Sequence, residues 1–174
     1  MALPRCSGYG SRVSQKVVDR VAARVVLLDP QDRILLQLIR LDEREARTVW
    51  ITPGGALAPG ETHRQAALRE LREEVGQVTA VLGPWVWVRE HQFEFRGTTY
   101  RQRERFFLAR TESSAIDTSR LEPIEVDIVL GHRWWRLNEI EGARETVFAP
   151  RLISQFLAPL IERRIPERPI DVGI

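Results

Sequence analysis

The chain has 174 residues, with 26 Lys+Arg against 24 Asp+Glu, so its formal net charge is only +2. That near-balance argues against a nucleic-acid coat or a polybasic membrane binder, which need a large one-signed excess. With 43% hydrophobic residues the chain can bury a sizeable core, and one domain is expected. The basic side is lopsided, with one lysine (Lys16) and 25 arginines. A guanidinium grips carboxylate or phosphate in a planar fork, so this usage fits phosphate recognition. A GC-rich genome would encode the same bias. Cys6 is the sole cysteine, which excludes an intramolecular disulfide or a cysteine cage for a metal. A reducing, cytoplasmic setting is expected. Arginines interrupt every apolar stretch well before ~18 residues, and the first residues lack the apolar run of a signal peptide. Neither a membrane nor a nucleic-acid polymer is expected as a partner.

Residues 1–16 are Ser-, Gly- and Arg-rich without periodicity and read as a flexible leader. Val17 to Leu28 and Arg33 to Arg40 read as two strands joined by a turn at Asp29-Pro30. A short strand over Val49 to Thr52 closes on Pro53-Gly54-Gly55, where paired glycines allow close approach or positive φ. Thr62 to Val75 is built of good helix formers, with Gly76 placed to stop it. Ala67, Leu71 and Val75 form its narrow apolar stripe. Val81 to Phe95 and Tyr100 to Arg110 suggest a long hairpin about Gly97. His132 to Leu137 reads as a last strand and Arg151 to Arg164 as a terminal amphipathic helix, with Pro159 placed to kink it. Residues 165–174 read as a loose tail.

The informative tract is Gly55 to Gln77, where Glu70, Glu73 and Glu74 stand at helical spacings i, i+3 and i+4. Three carboxylates on one face repel one another by a few tenths of a kcal/mol per pair, so a positive partner is required. A solvated face bridged to Arg69 and Arg72 would serve. So would a hard divalent cation, which prefers oxygen ligands and shares its remaining positions with substrate phosphates.

The full pattern favours the second reading. Gly55, five residues, Glu61, seven residues, Arg69-Glu70-Leu71, one residue, Glu73-Glu74, one residue, Gly76 resembles the Nudix box of nucleoside-diphosphate-linked hydrolases. Chance would place such a pattern in on the order of one in 10⁵ sequences of this composition. One position departs: Gln77 stands where the box closes on an aliphatic residue, which bears on packing at the helix end. The surrounding elements extend the resemblance over residues 17–164, read as a single hydrolase domain.

The resemblance implies an α/β/α sandwich with a mixed β-sheet and a dependence on Mg²⁺, with Mn²⁺ as a substitute. It implies that Glu70, Glu73 and Glu74 bind metal, with the Gly54 carbonyl as a further ligand. Arg69 and Glu61 would be ion-paired to brace the loop and helix. Metal would lower the pKa of a bound water that attacks phosphorus. The general base is left open. Glu73 and Glu74 are candidates within the box, and Glu104 is a candidate outside it. Glu104 reads equally as a strand carboxylate paired to Arg103 or Arg105. Glu122, Glu125 and Asp127 are weaker alternatives.

For substrate, strand alternation places Trp85, Trp87, Arg89, His91, Phe93 and Phe95 on one side, as either core or ligand contacts. Arg89, His91 and Phe93, together with Arg40 at a strand end, are the substrate-binding candidates. The proline that many ADP-ribose hydrolases of the family carry downstream of the box has no counterpart here, since Pro84 is too early. Tyr100 lies too far downstream for the dinucleoside polyphosphate pattern, and no coenzyme A pattern precedes Gly54. The expected substrate is a nucleoside di- or triphosphate or another nucleoside-diphosphate derivative. NDP-sugars, ADP-ribose, dinucleoside polyphosphates, or a non-catalytic nucleotide-sensing role are the alternatives. Isopentenyl-diphosphate isomerase chemistry would need a core cysteine, and Cys6 precedes the first strand. A homodimer is left open.

Overall fold

The computed structural model describes residues 17–41, 47–77, 79–95, 97–121 and 123–173, apart from the side chains of Ile124 and Glu125. The expected leader, residues 1–16, lies outside them. Val17–Leu28 (β1) is a 12-residue strand whose second half is enclosed on both faces. Its end is fixed by Asp29, whose carboxylate accepts from the backbone N–H groups of Gln31 (3.0 Å) and Arg33 (2.9 Å). A side chain that substitutes for a backbone acceptor in this way reverses the chain. Ile34–Arg40 (β2) follows, then Thr48–Ile51 (β3) and Gly54–Ala56 (β4).

His63–Val75 (α1) begins at a capping box in which Thr62 and Gln65 satisfy each other's backbone donors. It ends at Gly76, whose φ of 69° lets the cap N–H return to the Leu71 carbonyl. Ala67, Leu71 and Val75 are fully buried, as is Ala66, so the apolar stripe is wider than the four-residue spacing suggests. Val81–Phe95 (β5) and Thr98–Arg110 (β6) form the long hairpin. Pro123–Ile128 (α2), Val129–Trp135 (β7), Leu137–Gly142 (α3), Phe148–Ala149 (β8), Ile153–Ile161 (α4) and Ile170–Asp171 (β9) complete the described chain.

The strands form one mixed sheet in the order β8-β3-β2-β1-β6-β5-β9, with β4 paired to β1 and β7 to β2. Strand β1 runs parallel to β6 from Val17↔Thr99 to Leu28↔Arg110. On its other edge β1 meets β2 only at Leu28↔Ile34 and β4 at Ala22–Arg24. The sheet therefore splits along that edge, and the Gly54–Gly55 turn sits in the split. One core lies beneath α1, with Val25, Leu27, Leu35, Leu71, Val75 and Phe107. The other lies on the opposite face against α3 and α4, with Val26, Leu36, Trp87, Phe106, Leu157 and Leu160. This is the expected α/β/α layering about a mixed sheet. No helix of the described residues is long and apolar enough to cross a membrane.

Two expectations change. The tail is docked: Ile170 and Asp171 pair parallel with Trp87 and Val88, and Val172 is 4% exposed within the core. Its alternating apolar residues cover the open edge of β5, which would otherwise present unpaired backbone groups. Trp85 and Trp87 do not share a face. The β5 register shifts on both sides of Trp85, so Trp85 packs on the α1 side and Trp87 in the opposite core. A bulge adds a residue to one strand and so reverses the alternation past it.

Gln77, the departure from the box, is 6% exposed. Its amide donates to the Ala115 carbonyl (2.5 Å), and its Oε1 accepts from Thr111 Oγ1 (2.6 Å). Hydrogen bonds to the 111–115 segment replace the usual apolar contact at the end of α1.

Candidate active site

The helix α1 turns its acidic face onto the glycine turn. Glu70 and Glu74 are each 4% exposed, while the Glu73 side chain remains 34% exposed. The Glu74 carboxylate accepts from the Gly54 backbone N–H at 2.6 Å. Gly54 has φ of 128°, and a Cβ there would strike the Ala23 carbonyl and come within 2.8 Å of Arg24 Cα. At Gly55 a Cβ would stand 2.6 Å from Glu70 Oε1. Only glycines let the turn approach β1 on one side and the carboxylates on the other. Gly55→Ala is therefore expected to push the Glu70 carboxylate aside, lowering turnover at least tenfold at less than about 1 kcal/mol of stability. Turnover and urea denaturation measured together test this, and unchanged turnover would refute the close approach.

Arg69 is the brace. Its Nε and Nη2 donate to the two oxygens of Glu61, both at 3.0 Å, and Nη2 also reaches the Ala56 carbonyl at 3.0 Å. Its Nη1 donates to Glu70 (2.9 Å) and Glu73 (3.0 Å). The hydrogen bond to Glu61 raises the Arg69 pKa above its ordinary value against the effect of burial, with Glu70 and Glu73 adding to it. Glu61 is lowered in turn, chiefly by Arg69. Arg72 is exposed on α1.

Glu104 lies on β6 with its side chain fully enclosed. Its partners are neither Arg103, which pairs with Glu90, nor Arg105, which lies over the Trp85 ring at 4.3 Å. Arg24 Nε (2.8 Å) and Arg89 Nε (2.6 Å) donate to it from the flanking strands, and Gln102 Nε2 donates at 2.6 Å. Burial alone would raise the Glu104 pKa. Arg24, followed by Arg89, outweighs that and holds it at about 2. A carboxylate with these donors and that pKa is a weak base.

Arg89, expected as a phosphate contact, is thus committed to Glu104. His91 follows two residues along, its Nδ1 3.7 Å from Glu104, and its pKa is lowered by burial and then by Arg89. His91 Nδ1 and Gln102 Oε1, on directly paired residues, are buried without a hydrogen-bond partner. Phe93 stacks between His91 (5.5 Å between centroids) and Tyr100 (5.3 Å), all three half-buried. Arg40 pairs with Thr48, at the end of β3 away from Gly54, and the structure does not bring it to this cluster. Asp127 is exposed on α2, while Glu122 and the Glu125 side chain lie outside the described residues. Arg24 and Gln102 were missed by the sequence reading, which weighed Tyr100 only for the dinucleoside polyphosphate pattern. Arg24 did carry a signal, as the one charge in the apolar run Val21 to Leu28.

The donors at the turn are all oxygens: the Gly54 carbonyl and the carboxylates of Glu70 and Glu74, with Glu104 linked to the turn through Arg24. That chemistry fits a hard divalent cation. Among the described residues no three acidic, histidine or cysteine side chains converge closely enough to chelate one. Arg24 and Arg69 instead hold Glu104 and Glu70.

A family model for the NUDIX domain matches residues 18–156. The chain belongs to the NUDIX family. The NUDIX match spans β1 to α4 and contains every residue of the site described above. An RNA pyrophosphohydrolase of Francisella philomiragia is 46% identical over 57 residues, 33% of this chain and 34% of the relative. A human 8-oxo-dGDP phosphatase is 45% identical over 51 residues, 29% of this chain and 15% of the relative. The chain thus spans about a third or less of the curated relatives it matches. Among solved structures, the E. coli dihydroneopterin triphosphate pyrophosphohydrolase aligns with a TM-score of 0.58 at 21% identity, covering 85% of this chain and 99% of that one. A MutT protein from Methanosarcina mazei aligns with a TM-score of 0.56 at 20% identity, covering 86% and 97%. Both share the fold of this NUDIX domain.

Proposed function

We propose that the protein is a Mg²⁺-dependent pyrophosphohydrolase, with Mn²⁺ as a substitute, that cleaves the diphosphate linkage of a nucleoside di- or triphosphate or another nucleoside-diphosphate derivative. The observation that carries this is the box helix held on the Gly54–Gly55 turn by Glu74 at the Gly54 N–H and braced by Arg69, which gathers Glu61, Glu70 and Glu73 through one guanidinium. The curated relatives named as pyrophosphohydrolase and phosphatase support the reaction class. We read the protein as cytoplasmic, with a nucleotide as its small-molecule partner.

Glu70, Glu73, Glu74 and the Gly54 carbonyl are the residues that would hold the metal, whose chemistry would be to neutralise phosphate charge and activate water. Glu74 fixes the turn through the Gly54 N–H and so sets where that carbonyl points. Arg69 sets the spacing of Glu70 and Glu73. Glu73 has the half-exposed carboxylate and is the better candidate base, because Glu104 is held near pKa 2 by two arginines. Glu104 is assigned a positioning role. The stacked rings of Phe93 and Tyr100 offer a platform for a base.

Glu73→Gln is the informative variant, since Glu73 is half-exposed whereas Glu74 also holds the turn. Turnover is expected to fall at least 10²-fold with an unchanged thermal melt. The assay is phosphate release from NTPs, NDP-sugars, ADP-ribose, dinucleoside polyphosphates and 5′-triphosphorylated RNA, with Mg²⁺ or Mn²⁺. Equal turnover in Glu73→Gln would refute the assignment. No turnover by the folded protein across the panel would favour a nucleotide-sensing module.

A further inference from the structure

A guanidinium occupies the place where the glycine turn faces Glu104. Arg24 Nη1 donates to the Gly54 carbonyl and, at 3.3 Å, to the Thr52 carbonyl. Its Nε donates to Glu104 at 2.8 Å. The side chain is 12% exposed, so these contacts are made largely out of water. Burial works against the charge, but attraction from Glu104, and then from Glu74 and Glu70, outweighs it. Arg24 is therefore a monovalent cation seated on the Gly54 carbonyl, an oxygen proposed above for a divalent one. Two cations that need the same carbonyl repel strongly in so enclosed a place.

We propose that Arg24 is the site's built-in cation and yields its place to a divalent metal, its guanidinium leaving the Gly54 carbonyl and Glu104 as the metal is taken up. The inference rests on the metal assignment made under the proposed function. The surroundings allow the exchange. When Arg24 leaves, Glu104 keeps Arg89 Nε at 2.6 Å and Gln102 Nε2 at 2.6 Å, so no carboxylate is stranded. Gly54 keeps its N–H bonded to Glu74, so the turn itself need not move. The loss of Arg24's contacts opposes metal uptake, and the exchange keeps positive charge beside Glu104 in both states.

Mn²⁺ binding to the full chain without substrate, followed through the spin-resonance signal of the free ion, tests this directly. Arg24→Ala is expected to bind Mn²⁺ at least tenfold more tightly than the wild type, about 1.4 kcal/mol. Glu74→Gln serves as the control that identifies the site. Unchanged or weaker binding in folded Arg24→Ala, with binding lost in Glu74→Gln, overturns the exchange and leaves the metal assignment standing. Absence of Mn²⁺ binding to both the wild type and Arg24→Ala overturns both readings. A second measurement needs no alanine variant. In the ¹⁵N-arginine-labelled wild type, the Nε–H signals of Arg24 and Arg89 should be protected from solvent, that of Arg24 being the one absent from Arg24→Lys. Saturating Mg²⁺ alone is expected to remove the protection of Arg24 and leave that of Arg89. Protection of both in saturating Mg²⁺ overturns the proposal.

Discussion

Replacing Arg69 by alanine is expected to lower kcat/KM at least 10²-fold and stability by roughly 2–4 kcal/mol. Its guanidinium makes five hydrogen bonds at 2.9–3.0 Å to Glu61, Glu70, Glu73 and the Ala56 carbonyl. Alanine leaves Glu61, Glu70 and Glu73 without that compensating charge, and Glu70 and Glu73 repel on one helix face. The side chain is 30% exposed, so water screens part of the loss and the stability figure stays below that of a fully buried pair. Lysine should restore little, because one ammonium cannot span Glu61 and the helix with a planar fork. The diagnostic is the contrast with Glu73→Gln, which should lose turnover alone, whereas Arg69→Ala should lose turnover and stability together. Urea denaturation with steady-state kinetics measures both. Arg69→Ala retaining activity within threefold would show that the loop and helix are held by other contacts.

The second large effect belongs to Glu104. Glu104→Gln removes a buried charge and leaves Arg24 and Arg89 facing a neutral amide, so a loss of about 3–5 kcal/mol at pH 7 is expected. The acid behaviour carries a separate signature. The folded-state pKa of Glu104 is about 2 against an ordinary value of 4.5, so the folded protein releases this proton more readily than the unfolded chain does. The resulting stability, on the order of 3 kcal/mol, is complete above pH ~4.5 and is lost as the pH falls towards ~2. Asp29 and Glu61 are also held below their ordinary range, so the wild type weakens in acid for several reasons. The gap between wild type and Glu104→Gln isolates Glu104: it should be widest at pH 7 and narrow towards pH 2.5. A gap below 1 kcal/mol at pH 7, or one that does not change with pH, would show that the arginines find other partners.

What the sequence alone determined is what short-range spacing controls. Glu70, Glu73 and Glu74 share a face because 3.6 residues make a turn, and Thr62 and Gly76 bound that helix because caps are local. The strand pattern and the match to the box were likewise readable from residue types at fixed offsets. Tertiary structure decided what depends on register and distant partners. The bulges around Trp85 reversed the alternation along β5, sent Trp87 into the core and left Arg89 facing Glu104. Arg24 and Glu104 are 80 residues apart and meet only because β1 and β6 lie side by side with Ala22 opposite Glu104. The tail's docking on β5 depends on an open strand edge that exists only once the sheet has formed. Helical spacing fixes which carboxylates sit together, whereas the cation each one faces is set by the pairing of strands far apart in the chain. Among 25 arginines the box marked Arg69 and the strand pattern offered Arg89, but only the fold could single out Arg24 and give Arg89 its partner, Glu104.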